Sequence, residues 1–240
     1  MELPPLVPNV KRKKWRAIDA SGEDIDQEYI DIRRQMLIRD KYTCRYCGFK
    51  TVPMQGQPSI SSLASGFLEG HHINNDHSDN RLDNLITVCP FCHLPFHIGN
   101  AGYRERAKGI YVPNPLLTQE RLNLMVNCLA VAEARSREEK SQFGQQAIRI
   151  YLKLDQLSIP LKNLEDNINL SDLKDLSGAL MLLGEGFSEK SNALQNFRIL
   201  PCPEAFGEAV NYWSNSTWLP GQGWEKQWEA VHKNWKENAQ

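Results

Sequence analysis

Two C-x-x-C pairs, Cys44-Arg45-Tyr46-Cys47 and Cys89-Pro90-Phe91-Cys92, bracket a stretch that carries His71, His72 and Asn84, and His93 and His97 follow the second pair. Four thiolates in two such turns can close a tetrahedral site, because the short spacing lets each loop aim two sulfurs at one ion. A redox dithiol and unrelated buried cysteines are the competing readings. Two matched pairs, each beside an aromatic and one followed by His93, favour structural zinc. Cys128 and Cys202 sit in apolar contexts that read as helical, Met125 to Leu129 and Leu200 to Pro203, where a cysteine serves as a small buried hydrophobe.

The 41 residues between the pairs exceed the usual zinc-ribbon interval, so a folded insert is expected there. Phe67 to Ile73 reads as a strand, the Asn- and Asp-rich run from Asn74 to Asp83 as a loop, and Leu85 to Val88 as the apolar approach to the second pair. His93 and His97, four apart, share one face if they lie on a helical turn. Pro95 falls between them, and proline is tolerated at a helix start but disrupts an interior, so that geometry requires the helix to begin near Leu94.

The order C-x-x-C, His71-His72, Asn84-Leu85, C-x-x-C-His93 and a final His97 resembles the HNH endonuclease domain over about residues 29 to 100. The resemblance implies a zinc-stapled ββα-metal fold in which Cys44, Cys47, Cys89 and Cys92 hold structural Zn2+. It implies His71, His93 and His97 as ligands of a second divalent ion, Mg2+ or another. It places His72 as the general base that deprotonates water beside a phosphodiester, and Asn84 as the residue that orients the base or braces its loop. His77 has no position in this scheme and reads as a solvated loop residue.

Composition sets the wider frame. The chain has 240 residues, 41% of them hydrophobic, enough to bury a substantial core in one domain or two. No run approaches the length of a membrane span, and the opening Met-Glu-Leu-Pro-Pro has no apolar signal core, so a cytoplasmic location without membrane insertion is expected. Six cysteines, four of them in metal pairs, suit a reducing compartment. Net charge is -1, and residues 1 to 110 carry 15 Lys and Arg against 13 Asp and Glu. That balance argues against strong unspecific nucleic-acid binding, which ordinarily needs a basic stripe. The one cationic cluster, Lys11 to Arg16 around Trp15, is answered at once by Glu23, Asp24, Asp26 and Glu28, and reads as a solvated arm or a phosphate contact.

After Tyr111-Val112-Pro113 the sequence turns helical. Thr118 suits an N-cap for a helix with Leu122, Met125, Val126 and Leu129 on one face, and a polar hinge from Ser136 to Gln146 separates it from Ile148 to Leu157. Ser171 or Asp172 starts another helix with Leu173, Leu176, Leu180 and Leu183 inward and Gly184 as the stop, and Pro203 opens one with Phe206, Val210 and Trp213. Five of the six tryptophans lie after residue 212, and Trp224, Trp228 and Trp235 recur at helical spacing. Such a stripe packs on neighbouring helices or, left exposed, anchors a partner protein. The expected architecture is α+β: an N-terminal arm over 1–28, an HNH-like zinc-binding domain over 29–112, and a mainly helical region over 113–240.

A narrower resemblance covers nearly the whole chain. Arg39 to Phe49, Asn80-Arg81-Leu82-Asp83-Asn84-Leu85, Tyr111-Val112-Pro113, Leu117-Thr118-Gln119, Phe197 to Pro201 and Tyr212-Trp213 together are similar to the IcmJ (DotN) family of type IVB secretion systems, and Trp15-Arg16 fits the start of that family. The resemblance implies a subunit that associates with the coupling-protein ATPase and its adaptors, which recruit substrates at the cytoplasmic face of the inner membrane. That role needs no catalysis, and members of the family commonly lack the paired histidines. This chain retains them, so the HNH resemblance leaves DNA cleavage as the alternative activity.

Overall fold

The computed structural model describes residues 3–10, 27–139, 142–162, 169–183, 194–216, 225–226 and 228–229. The cluster Lys11 to Arg16, Trp224 and Trp235 lie outside the described residues. The chain is α+β, with a cysteine-stapled ββα unit followed by a mainly helical region.

Helix α1 (Gln27–Arg39) buries Met36 and Leu37 and ends in two residues of positive φ, Lys41 and Tyr42, which drop the chain into the first C-x-x-C turn. There Cys44 N–H donates to Phe49 O and Gly48, at φ 74°, donates back to Cys44 O, so the knuckle is closed by backbone before any ion is considered. Asp40 ties this corner to the sheet. Its carboxylate, wholly buried at the side chain, accepts from Thr87 N–H at 3.0 Å and pairs with Arg39 and Arg45. Burial alone would raise this carboxyl, but the Arg39 and Thr87 hydrogen bonds more than offset it and hold it below the ordinary value.

Strands β1 (Glu69–His72) and β2 (Leu85–Val88) pair antiparallel, with His71 opposite Ile86 and His72 opposite Leu85. All four β2 residues are buried. Cys89 N-caps the short α2 (Pro90–His93), with Pro90 at the first turn where its missing N–H costs nothing. A 3-10 turn over Leu94–His97 then leads into α3 (Ile98–Tyr103). The second pair therefore sits at a strand-to-helix corner.

Strand β3 (Ala107–Tyr111) comes before the helical region, in which α4 (Gln119–Glu139) and α5 (Gln142–Gln156) pack together, followed by α6 (Leu173–Leu182), β4 (Phe197–Pro201) and α7 (Gly207–Ser216). Thr118 does sit at the start of α4, its Oγ accepting from Arg121 N–H. Three expectations need correction. The polar stretch from Ser136 to Gln146 is helical except at 140–141, which are not described: a Cβ on Gly144 would lie 2.6 Å from Ser136 Cβ, so these small residues mark where α4 and α5 approach closely. Leu200 belongs to β4, which pairs antiparallel with β3, and Cys202 follows that strand half-buried. Leu183 points outward, because the backbone becomes extended there.

One contiguous core runs from Leu6 and the cysteine corner through α4 to Trp213. Trp213 is fully buried, edge-on to Phe49 and Phe91, with its indole N–H on Gly66 O at 3.0 Å. Trp228 packs, half-buried, against the same core.

Candidate functional site

The two backbone knuckles bring Cys44, Cys47, Cys89 and Cys92 together with every Sγ within 4.8 Å of the others, all buried and none in a disulfide. Cys47 and Cys89 approach to 3.7 Å between sulfurs. A tetrahedron with metal–sulfur bonds of about 2.3 Å has edges of about 3.8 Å, so the cradle has the size of a thiolate-bound zinc ion. Desolvation raises the thiols of Cys47 and Cys92, and their contacts with Cys44 add to it. Desolvation acts on Cys44 as well, but hydrogen bonds from the other three thiols outweigh it and hold Cys44 well below the usual thiol range. The helical region contributes two donors: Asn123 Nδ2 reaches Cys92 Sγ at 3.3 Å and Phe91 O at 3.2 Å, and Asn127 Nδ2 reaches Cys89 Sγ at 3.7 Å. Amide N–H groups aimed at sulfur favour the thiolate over the thiol, which fits a bound cation. Gln119 steadies Asn123 and grips both backbone groups of Ile199 in β4.

A second cluster forms around His93, the residue after Cys92. His71 Nδ1 is 3.3 Å from His93 Nε2, and His97 Nε2 is 3.2 Å from the same nitrogen. Metal–nitrogen bonds of about 2.0–2.1 Å at tetrahedral angles would separate the donors by about 3.3 Å, so this spacing fits one ion held by three imidazoles. The convergence does not need a continuous helix through Pro95. Residues 90–93 are α-helical, the chain tightens to a 3-10 turn at 94–97 with Pro95 in its first turn, and His97 itself leaves helical geometry at φ -137° and ψ 47°. Glu69 Oε2 accepts from His93 Nδ1 at 2.6 Å, which turns Nε2 towards the cluster. Desolvation would raise the Glu69 carboxyl, but the His93 hydrogen bond, with Arg106 and Arg33 nearby, more than offsets it.

His72 is next to His71 in a strand and so points to the other face of β1. Its Nε2 lies 3.0 Å from Asn80 Oδ1, and its ring is stacked with Tyr29 (5.8 Å, 19°) and with His77 (5.1 Å, 21°). Gly70 makes room for Tyr29, since a Cβ there would stand 3.0 Å from the phenol oxygen. Asn84 does not reach the base: its side chain accepts from Asn74 N–H and donates to Asn74 Oδ1 and Asp79 O, so it braces the loop. His77 is an exposed loop residue, as expected, yet it also lies 6.4 Å from His97 and lines the cleft. That cleft, about 430 Å³, opens on His93 and His97 between Tyr29, Ile60 and Phe206, with Arg33 and Arg106 at its walls. Sequence reasoning missed Asn80, Glu69, Asn123 and Asn127. The first two sit within the motif, where alternation along β1 and the short loop could have pointed to them. The asparagines of α4 carry no local signal.

The antiparallel hairpin and the short helix thus carry a four-cysteine cluster and a three-histidine cluster, an arrangement similar to that of HNH domains. Comparison with known families agrees, because residues 44–97 match the HNH endonuclease family. Over most of its length the chain is similar to the Type 4 apparatus protein DotN of Legionella pneumophila, 27% identical over 206 residues that cover 84% of this chain and 86% of the relative.

Proposed function

We propose that this chain is a subunit of a type IVB secretion apparatus, in which a zinc-stapled HNH-like domain and a helical region serve a coupling-protein complex that recruits substrates. The observation that carries this reading is the similarity to DotN across both parts of the chain, including the helical half that a free-standing HNH motif would not need. A near-neutral net charge and the lack of any membrane-crossing helix among the described residues suit an assembly role at the cytoplasmic face of the inner membrane. The division into 1–28, 29–112 and 113–240 is part of the same proposal, with Trp224, Trp228 and Trp235 as the partner-facing stripe. Tagged full-length protein isolated from its native host is expected to bring down a secretion-system ATPase, and removal of residues 214 to 240 to weaken that capture. Failure of the full-length protein to retain any such ATPase would sink the assembly reading.

A second reading, metal-dependent hydrolysis of DNA phosphodiesters, is favoured by the histidine geometry. The four thiols suit zinc, whereas His71, His93 and His97 offer only imidazole nitrogen, which suits a transition ion better than Mg2+ with its preference for oxygen. The chemistry such an ion supplies is charge stabilisation at the departing oxygen. His72 takes the proton of the attacking water, Glu69 orients His93, and Asn84 holds the loop that walls the cleft. Changing His72 to Ala should lower divalent-ion-dependent plasmid nicking by about 100-fold or more, the usual contribution of a positioned base, while metal content and the circular-dichroism spectrum stay as in the wild type. Wild-type protein that is folded yet inert with manganese, nickel, zinc and magnesium would remove the enzyme reading.

A further inference from the structure

We propose that the cleft beside the three histidines is a binding site for a phosphate ester, with Arg106 as its principal anion ligand. The inference rests on a divalent ion at His71, His93 and His97, as in the hydrolytic reading above, but it needs no cleavage. Among the described residues the Arg106 guanidinium has neither a hydrogen bond nor an ion pair, although the side chain lines the cleft half-buried. A guanidinium carries five N–H donors, and taking them partly out of water without a partner is costly unless a ligand completes them. Desolvation, and then Arg104, hold this group below its ordinary pKa, and Glu69 offsets them only in part. An anion in the cleft would satisfy both the donors and the charge.

The fold holds Arg106 in place from both sides. Its N–H donates to Ala101 O at 2.8 Å and its carbonyl accepts from Cys202 N–H at 2.8 Å, which pins the residue between α3 and the turn after β4. The guanidinium carbon stands 5.4 Å from the centre of the Phe206 ring, a cation–π contact. Phe206, in the 3-10 turn Pro203–Phe206, in turn meets Phe91 edge-on at 5.1 Å. Arg33 of α1 also lines the cleft, donating to Ser59 O at 3.2 Å and Leu68 O at 3.0 Å. Neutral carbonyls steady its fork without cancelling its charge.

Among the described residues lining the cleft Glu69 is the one carboxylate, and it already accepts from His93. Two guanidiniums and an ion at the histidines therefore leave the cleft an excess of positive charge. Three cationic groups from separate elements call for an anion with more than two oxygens, which a phosphate has and a carboxylate lacks. The cavity of about 430 Å³ has room for more than the anion, and Tyr29, Ile60 and Phe206 offer apolar surface for the organic part of an ester. Arg33, Arg106 and Phe206 all lie outside residues 44–97, so the HNH match does not account for them.

The test titrates the full chain, loaded with zinc and freed of excess metal, with thymidine monophosphate, inorganic phosphate and acetate in a calorimeter. The monoester offers no diester bond to cleave, so binding is read apart from hydrolysis. Wild type should bind the nucleotide more tightly than inorganic phosphate, and acetate least. Arg106→Gln should weaken both phosphate ligands by about 10- to 100-fold, the usual worth of hydrogen bonds to a charged group, with zinc content and melting temperature unchanged. Arg106→Lys should recover part of that loss, because an ammonium keeps the charge without the fork, and it carries the test if the glutamine variant does not fold. Ile60→Ser, at an exposed position, should weaken the nucleotide and leave inorganic phosphate as it was. Acetate bound as tightly as phosphate overturns the proposal, as does phosphate binding that neither Arg106 variant changes, or none at all by metal-loaded wild type. Binding that depends on Arg106 in a protein that nicks no plasmid supports the site and removes the hydrolytic reading. Nicking by a protein whose phosphate binding ignores Arg106 does the reverse.

Discussion

Serine in place of Cys44 or Cys89 is expected to release the metal and leave the HNH-like unit unfolded. Both sulfurs are buried among the other thiols, and a serine hydroxyl there can neither ionise near neutral pH nor bond zinc as a thiolate does. The apparent contribution of a structural zinc ion, about 10–16 kcal/mol, is as large as the whole stability of an ordinary domain, about 5–15 kcal/mol. Around the cluster the secondary structure is short, one two-stranded hairpin and the single-turn α2. Elemental analysis with thermal unfolding checks this, and Cys128→Ser is the control. Cys128 is equally buried in α4, where burial pushes its thiol up to about 12, but it lies outside the cysteine cluster, so its variant should keep the metal. A Cys44→Ser protein with full metal content and an unchanged melting temperature would show that the four cysteines do not form the staple.

What the sequence made legible is what local spacing can encode. Each C-x-x-C turn is built within a few residues, so the cysteine cluster follows from the pairs themselves, and the β1–β2 hairpin follows from two apolar runs around a polar loop. The α+β architecture, with its stapled hairpin and helical second half, was legible for that reason. Pro95 shows the limit of such reasoning. A rule for continuous helices makes it an obstacle between His93 and His97, whereas a change from α to 3-10 winding lets it stand in a first turn. The longer connections were beyond reach. Strand β4 pairs with β3 some ninety residues earlier, and its run Phe197–Pro201 has no clear alternation because nearly every side chain is buried. Asn123 and Asn127 look like ordinary polar positions on a helix, and only the packing of α4 on α2 turns them towards sulfur.

That packing makes Trp213 the residue whose loss should be felt in both halves of the chain. Its indole fills the space beside Phe49 and Phe91, at 4.9 and 5.9 Å between ring centroids. Phe49 follows the first cysteine turn by two residues, and Phe91 lies between Cys89 and Cys92, so the tryptophan backs both knuckles through these rings. Trp213→Ala should cost about 3–5 kcal/mol through the cavity it leaves. It also strips Gly66 O of the indole donor, a loss of about 1–3 kcal/mol for a buried acceptor. Trp213→Phe keeps most of the ring and loses the N–H, so it should fall well short of the alanine variant. Because the rings it supports carry the cysteine turns, the alanine variant should also surrender the metal of the cysteine cluster to a colorimetric chelator faster than wild type. Denaturant unfolding followed beside metal release tests the coupling. If the helices of Trp213→Ala melt early while the metal is held as firmly as before, the cysteine cluster stands independently of the helical half. If both fail together, the metal site and the helices unfold as one cooperative unit, in which Trp213 adds to the link that Asn123 and Asn127 make.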